Sequence, residues 1–115
     1  MSGIPLVDRA DGFRGRTAIL ATEGREALAL LAESSVDLAI VDHFLPGMTG
    51  CECVRAIREM EPPDRRTSII VVSIGGEEIK ERAMESGADL FLEKPVLCKE
   101  LIDTAGMLLS RSSIE

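Results

Sequence analysis

A short apolar run, Leu38-Ala39-Ile40-Val41, ends in an acid, Asp42, and meets the chain breakers Pro46, Gly47 and Gly50 directly afterwards. A run this brief, with β-branched side chains and turn residues behind it, reads as a strand buried on both faces, as inside a parallel sheet. Open α/β sheets bind ligands at the carboxyl ends of such strands, so Asp42 stands at a chemically useful place. The stretch alone fits an acid that caps a turn equally well, and the rest of the chain decides between the two.

The remaining pattern alternates strands with helices. Thr17-Ala18-Ile19-Leu20-Ala21 reads as a strand, and residues 23–33 as an amphipathic helix with Ala27, Leu28, Leu30, Leu31 and Ala32 among charges. Thr22 fits its N-cap. A helix near 50–60 carries Val54, Ile57 and Met60 on one face, with Arg55, Arg58 and Glu59 elsewhere; the arginines read as a solvated face. Pro62-Pro63 ends it. Ser68-Ile69-Ile70-Val71-Val72-Ser73 is the clearest buried strand. A helix over about 77–86 follows, closed by Gly87 as C-cap. Leu90-Phe91-Leu92 is a brief strand, Lys94-Pro95 turns the chain, and a last helix over about 97–110 places Leu101, Ile102, Ala105, Leu108 and Leu109 at helical spacing. The expected fold class is α/β: three layers, a doubly wound parallel sheet with helices on both faces.

With 115 residues, 45% hydrophobic and 29% charged, the chain is expected to form one globular domain over 1–115, with an atypical segment at 1–16 and a frayed tail at 111–115. Its 20 acidic and 13 basic residues give a net charge of −7, which argues against direct nucleic-acid binding and against adhesion to an acidic membrane. Asp8, Arg9, Asp11, Arg14 and Arg16 interrupt the first twenty residues, so they supply no signal-peptide core, and no apolar run spans a bilayer; the expected compartment is the cytoplasm. Cys51, Cys53 and Cys98 form an odd set without a CxxC pair, which favours free, buried or half-buried thiols over a disulfide framework or a zinc site.

Three predicted strands end in Asp42, Ser73 and Lys94, and in a parallel sheet these ends lie along one edge. A carboxylate, a hydroxyl and an ammonium together suit a phosphoryl group: the acid as acceptor, the cation on its oxygens, the hydroxyl as hydrogen-bond donor. At this point the chain resembles the receiver domains of two-component response regulators. Asp42 is followed by Pro46 and Gly50 as after that family's phosphoacceptor, Ser73 ends a strand where the family has its switch Ser or Thr, and Gly87-Ala88-Asp89-Leu90-Phe91-Leu92-Glu93-Lys94-Pro95 is similar to its final-strand signature. The resemblance covers roughly residues 17–110 and implies a flavodoxin-like receiver fold. It implies that Asp42 takes a phosphoryl group from a histidine kinase or phosphotransfer protein. It also implies that Ser73, Lys94 and Phe91 bind it and switch, and that Mg²⁺ lies against Asp8, Asp42 and the main-chain carbonyl of Phe44. Read singly, Ser73 is as well a strand-end hydroxyl bonded to backbone, Phe91 a core ring and Lys94 a solvated charge.

Three features depart from that family. Arg9 stands where its second metal-binding acid is expected and repels a divalent cation, with Asp11 as a substitute if the loop folds back. Ile74 follows the switch Ser where a small residue is usual and crowds the phosphoryl group. Only residues 9–16 separate Asp8 from the strand at Thr17, too few for a parallel crossover, so the family's first helix is missing or irregular. Ile4-Pro5-Leu6-Val7-Asp8 reads as a strand ending in an acid, with Pro5 confined to its first residues if the strand is central. Either this segment is not the central first strand, or the crossover is irregular, or another copy of the chain supplies the missing cover. A bare strip of ~400 Å² costs ~10 kcal/mol, which leads to the expectation of a homodimer through that face.

The favoured function is a single-domain receiver, without an attached output domain, that accepts a phosphoryl group on Asp42 and signals by docking to a downstream protein. The alternative is a degenerate receiver serving as a phosphorylation-independent binding or dimerisation module, and Arg9, Ile74 and the short N-terminus favour it. A phosphatase of the haloacid dehalogenase type needs a second Asp two residues on, where Phe44 stands. No Ser-His-Asp set, P-loop or GxGxxG is present, and the only histidine, His43, is expected to face solvent. An enzyme is therefore not expected.

Overall fold

The computed structural model describes residues 3–7, 17–21, 23–33, 36–45, 47–63, 66–96 and 98–114. In chain order the elements are β1 (Gly3–Val7), β2 (Thr17–Ala21), α1 (Gly24–Glu33), β3 (Leu38–Asp42), the short β4 (Phe44–Leu45) and β5 (Met48–Thr49), α2 (Gly50–Met60), β6 (Ser68–Ser73), α3 (Glu77–Ser86), β7 (Leu90–Glu93) and α4 (Cys98–Ile114). The main sheet has the order β1-β2-β3-β6-β7. Strands β2, β3, β6 and β7 run parallel, while β1 pairs with β2 antiparallel. β4 and β5 form a separate two-stranded hairpin just past β3.

Side-chain alternation divides the sheet into two faces. Ile19, Ala21, Ala39, Val41, Ile69 and Val71 point to the face covered by α1, α2 and α3, where they meet Ala27, Cys53, Val54, Ile57 and Ala83. Ala18, Leu38, Ile40, Ile70 and Val72 point to the other face, where Leu101, Ala105 and Leu108 of α4 pack. All six residues of β6 are buried, the apolar run Ile69–Val72 and the serines at both ends alike. The expected three-layer α/β arrangement, a parallel sheet with helices on both faces, is thus the observed one, with an antiparallel edge strand added; among the described strands the parallel order β2-β3-β6-β7 follows the chain, so the crossover helices α1, α2 and α3 share one face and α4 alone covers the other.

Local signals set the helix ends. In α2 the Thr49 hydroxyl accepts from the Glu52 amide at 3.1 Å, and the Thr49 amide donates to Glu52 Oε1 at 2.8 Å. This capping box is written in the sequence as Thr-x-x-Glu. Gly87 closes α3 with φ of +118°, a left-handed conformation that only glycine adopts freely. Thr22, the expected N-cap of α1, lies outside the described residues.

The N-terminal strand is where the structure chooses among the open alternatives. Val7 lies opposite Thr17 and Gly3 opposite Ala21, so β1 runs against β2 along the sheet edge. The connection of residues 8–16 is too short to carry a parallel crossover, whereas an antiparallel return needs only a loop. An edge strand also tolerates Pro5, whose missing N–H would orphan a carbonyl in the middle of a sheet. The strand beside β3 is therefore β2.

Among the described residues the strip expected to lie bare is covered in part. Ala18, Leu38, Ile40 and Ile70 of the α4 face are at most 1% exposed and Val72 is 7% exposed, all within one chain. A second copy is not needed to cover these five residues. What remains is an open groove of about 540 Å³ over the carboxyl half of this face, lined by Leu20, Val72, Ile74, Pro95, Val96 and Leu101 among others.

At the opposite end of the strands an ionic clasp joins α2 to β7. Arg58 donates to Gly87 O at 2.9 Å, Thr67 O at 2.7 Å, Glu61 Oε2 at 2.6 Å and Asp89 Oδ2 at 2.9 Å. Asp89 also accepts from the Ile69 amide and from Arg66. Arg58, expected on a solvated face, is instead 15% exposed at its side chain and saturated with acceptors. Replacing Asp89 by alanine leaves a half-buried guanidinium and a backbone amide unpaired, so urea denaturation is expected to show a loss of about 2–3 kcal/mol.

The two described thiols differ sharply. Cys51 is half-buried and Cys53 fully buried, both unpaired, as expected. Burial pushes the Cys53 thiol up to about 11. Its folded pKa exceeds the unfolded one, so the neutral thiol's contribution to stability is intact below the unfolded value and is lost as pH rises toward the folded one. Iodoacetamide at neutral pH is expected to alkylate Cys51 while sparing Cys53 until the protein is unfolded, as peptide mass mapping will show.

Candidate phosphoacceptor site

The carboxyl edge gathers the sequence-predicted residues from three strands. Asp42 ends β3, Ser73 ends β6 and Lys94 follows β7. Asp42 Oδ2 accepts from Lys94 Nζ at 2.5 Å, and Asp42 Oδ1 accepts from the Phe44 amide at 3.0 Å. Both carboxylate oxygens therefore have donors, and the acid is half-exposed at 30% of its side chain. Lys94 is tied in place by its own backbone, whose amide donates to Ser73 O at 2.8 Å, and its peptide bond to Pro95 is cis.

Ser73 is fully buried at the same edge. Its hydroxyl oxygen accepts from the Gly75 amide at 3.0 Å, so it is bonded to backbone while its own O–H remains available as a donor. Phe91 lies opposite Val71 in β7 and packs, partly buried, against the core beneath α1, α2 and α3. Ile74 stands out from the edge at 70% exposure and lines the groove beside Lys94 and Pro95.

His43 corrects an expectation. It is 5% exposed rather than solvent-facing, because the chain folds back on itself directly after β3. The His43 amide donates to Val72 O at 2.9 Å and its carbonyl accepts from the Gly50 amide at 2.6 Å. The ring lies 4.9 Å from that of Phe44, edge to face, with Nδ1 3.7 Å from Cys51 Sγ. The β3–α2 connection is thereby a tight, twice-anchored loop that fixes the direction of Asp42.

The expected metal ligands are not all brought together. The oxygens of Asp42 and the Phe44 carbonyl are hard donors of the kind Mg²⁺ takes. Asp8 lies outside the described residues, and the strand before it ends with Val7 opposite Thr17, at the far edge of the sheet from Asp42. The direction of β1 therefore lends no support to Asp8 as a ligand beside Asp42. Arg9 and Asp11 also lie outside the described residues. Among the described residues no group of three or more His, Cys, Asp or Glu is placed to hold a metal ion.

Comparison with known proteins gives this edge its context. The sequence matches the model of the response regulator receiver domain over residues 9–105. The chain belongs to the response regulator receiver family. It is 33% identical over 106 residues to the phosphate regulon transcriptional regulatory protein PhoB of Rhizobium meliloti, covering 92% of this chain and 45% of PhoB. It is 39% identical over 77 residues to the cyclic di-GMP phosphodiesterase response regulator RpfG of Xanthomonas campestris, covering 66% of this chain and 20% of RpfG. The chain thus spans less than half of these relatives. Among solved structures, a CheY-like receiver domain protein from Methanospirillum hungatei superposes with a TM-score of 0.71 at 25% identity, covering 79% of this chain and 71% of that one. The receiver domain of a putative LuxO repressor protein from Vibrio parahaemolyticus superposes with a TM-score of 0.72 at 28% identity, over 82% and 71% of the two chains. No helix among the described residues is long and apolar enough to cross a membrane.

The receiver's loop leaves no room for a side chain at Gly50. A Cβ there would meet His43 Cα at 2.6 Å and Asp42 O at 2.9 Å, both backbone atoms that yield only if the loop moves. Gly50→Ala is therefore expected to cost about 1–3 kcal/mol in chemical denaturation. The same change is expected to shift the amide resonances of Asp42 and Phe44.

Proposed function

We propose that this receiver accepts a phosphoryl group on Asp42 and signals through the contacts of Ser73, Lys94 and Phe91. The observation that carries the reading is the Lys94–Asp42 ion pair beside the buried Ser73, formed from three different strands. Transfer from a phosphohistidine of a kinase or phosphotransfer protein breaks the P–N bond and forms a P–O bond to an Asp42 oxygen, while the donor imidazole leaves with the electron pair. Lys94 then follows the negative charge from the carboxylate to the phosphoryl oxygens. The Ser73 O–H, already at the edge, donates to another of them. Mg²⁺, when bound against Asp42 and the Phe44 carbonyl, neutralises phosphoryl charge.

The output follows from what Lys94 holds. Its amide is bonded to Ser73 O, and Pro95 and Val96 lead from it toward α4, so a displaced Lys94 alters the surface between β7 and α4 where a downstream protein docks. The second reading, a degenerate receiver that binds partners without phosphorylation, is favoured by the direction of β1, which gives the edge no acid from the N-terminal strand.

Acetyl phosphate with Mg²⁺ separates the two. Slow labelling of the wild type, detected by intact mass and abolished in Asp42→Asn, is the expected outcome. Labelling that survives Asp42→Asn would place the acceptor elsewhere. Absence of labelling with both acetyl phosphate and a phosphohistidine donor would establish the degenerate reading.

A further inference from the structure

Building on the phosphoacceptor reading, we infer that Cys51 is a thiol-modification site. It takes a small amide-bearing thiol from a disulfide of the glutathione class, and the bound group displaces the loop after Asp42 and slows phosphorylation. Cys51 and Cys53 both stand in the first turn of α2, but their surroundings differ. Cys53 is 0% exposed, in the core beneath α1, α2 and α3. Cys51 is half-buried, and its sulfur faces the loop that fixes Asp42. Of these two thiols, Cys51 is the one open to a reagent.

The ring that Cys51 faces marks the place independently. His43 is 5% exposed, and among the described residues its imidazole has no hydrogen-bond partner other than this sulfur, 3.7 Å from Nδ1. Sulfur is a weak partner, so a buried polar ring is left with hydrogen-bonding capacity unspent. Such a group is costly unless something satisfies it. The ring is aimed at a nucleophilic atom, and a ligand carried on that atom arrives beside it. A thiol with amide groups, once joined to Sγ, brings the imidazole the donors and acceptors it lacks.

The step is a thiol–disulfide exchange. The Cys51 thiolate attacks one sulfur of the disulfide, a new S–S bond forms as the old one breaks, and the other half leaves as a thiolate. Through water, the leaving thiolate takes up the proton that Cys51 released. One protein thiol and one disulfide thus become one mixed disulfide and one free thiol. The loop has no slack for the added group. The amide of Gly50, next to Cys51, donates to His43 O at 2.6 Å. Even one carbon added at Gly50 would meet His43 Cα at 2.6 Å and Asp42 O at 2.9 Å. A group on Sγ therefore displaces His43, which a single peptide bond joins to Asp42.

Incubation of the full chain with oxidised glutathione, read by intact mass and peptide mapping, tests the site. One glutathionyl group on Cys51 is expected, removed by dithiothreitol and absent in Cys51→Ser. Amide NMR of the modified protein is expected to show shifts at His43, Asp42 and Phe44 and none at Ile69 or Asp89, a readout that needs no phosphoryl chemistry. Labelling of Asp42 by acetyl phosphate with Mg²⁺ is expected to slow about tenfold and to recover on reduction. An unreacted Cys51, or modification of Cys53 or Cys98 in its place, would overturn the assignment. So would a modified Cys51 that leaves the Asp42 resonance and the labelling rate unchanged. Modification of Cys51 with the expected shifts, in a chain whose reduced form no phosphodonor labels, would sink the phosphoacceptor reading alone and leave the thiol site standing.

Discussion

The nine residues between Val7 and Thr17 govern the rest of the sheet. A parallel partner for the first strand would require a crossover passing over one face, and residues 8–16 are too few to make it. Only the antiparallel return is open, and it sends β1 to the edge. Everything downstream depends on that choice, because the place beside β3 then falls to β2.

Asp42 illustrates how a half-exposed acid is held without being neutralised. Its two oxygens are met by one amide and one ammonium, and both side chains of the ion pair keep contact with water. An exposed pair of this kind is worth little as a stabilising interaction. It therefore gives little up when a phosphoryl group arrives and Lys94 changes partner, which is what a reversible switch requires. The rigidity of the site comes from elsewhere: the His43 backbone bonds to Val72 and Gly50, and the Lys94 amide on Ser73 O.

The parallel strands were legible because burial on both faces leaves an unmistakable apolar run, and Gly87 was legible because an αL position has few alternatives. Asp42, Ser73 and Lys94 could be brought to one edge from sequence because parallel strands share a direction. The direction of β1 could not be read, since a five-residue strand looks the same whichever way its partner runs. Arg58 looked like any surface arginine, as a helix pattern does not reveal which carbonyls wait at the neighbouring strand ends. His43 was misjudged because the tight fold-back after β3 is set by two backbone bonds that have no side-chain signature.

The two ends of the strands carry opposite physical roles. At the amino edge, Arg58 and Asp89 are largely desolvated and bonded to backbone at Gly87, Thr67 and Ile69, so breaking any contact leaves a polar group stranded. At the carboxyl edge, Asp42 and Lys94 are wetter, and the Ser73 hydroxyl retains a donor that no described residue uses. Uncommitted polar groups are costly in a core but harmless at a wet edge, and they are the only ones free to bind something new. A sheet clamped at one end and left chemically open at the other can change its contacts at Asp42 without loosening β3, β6 and β7, whose register is fixed from the Arg58–Asp89 end.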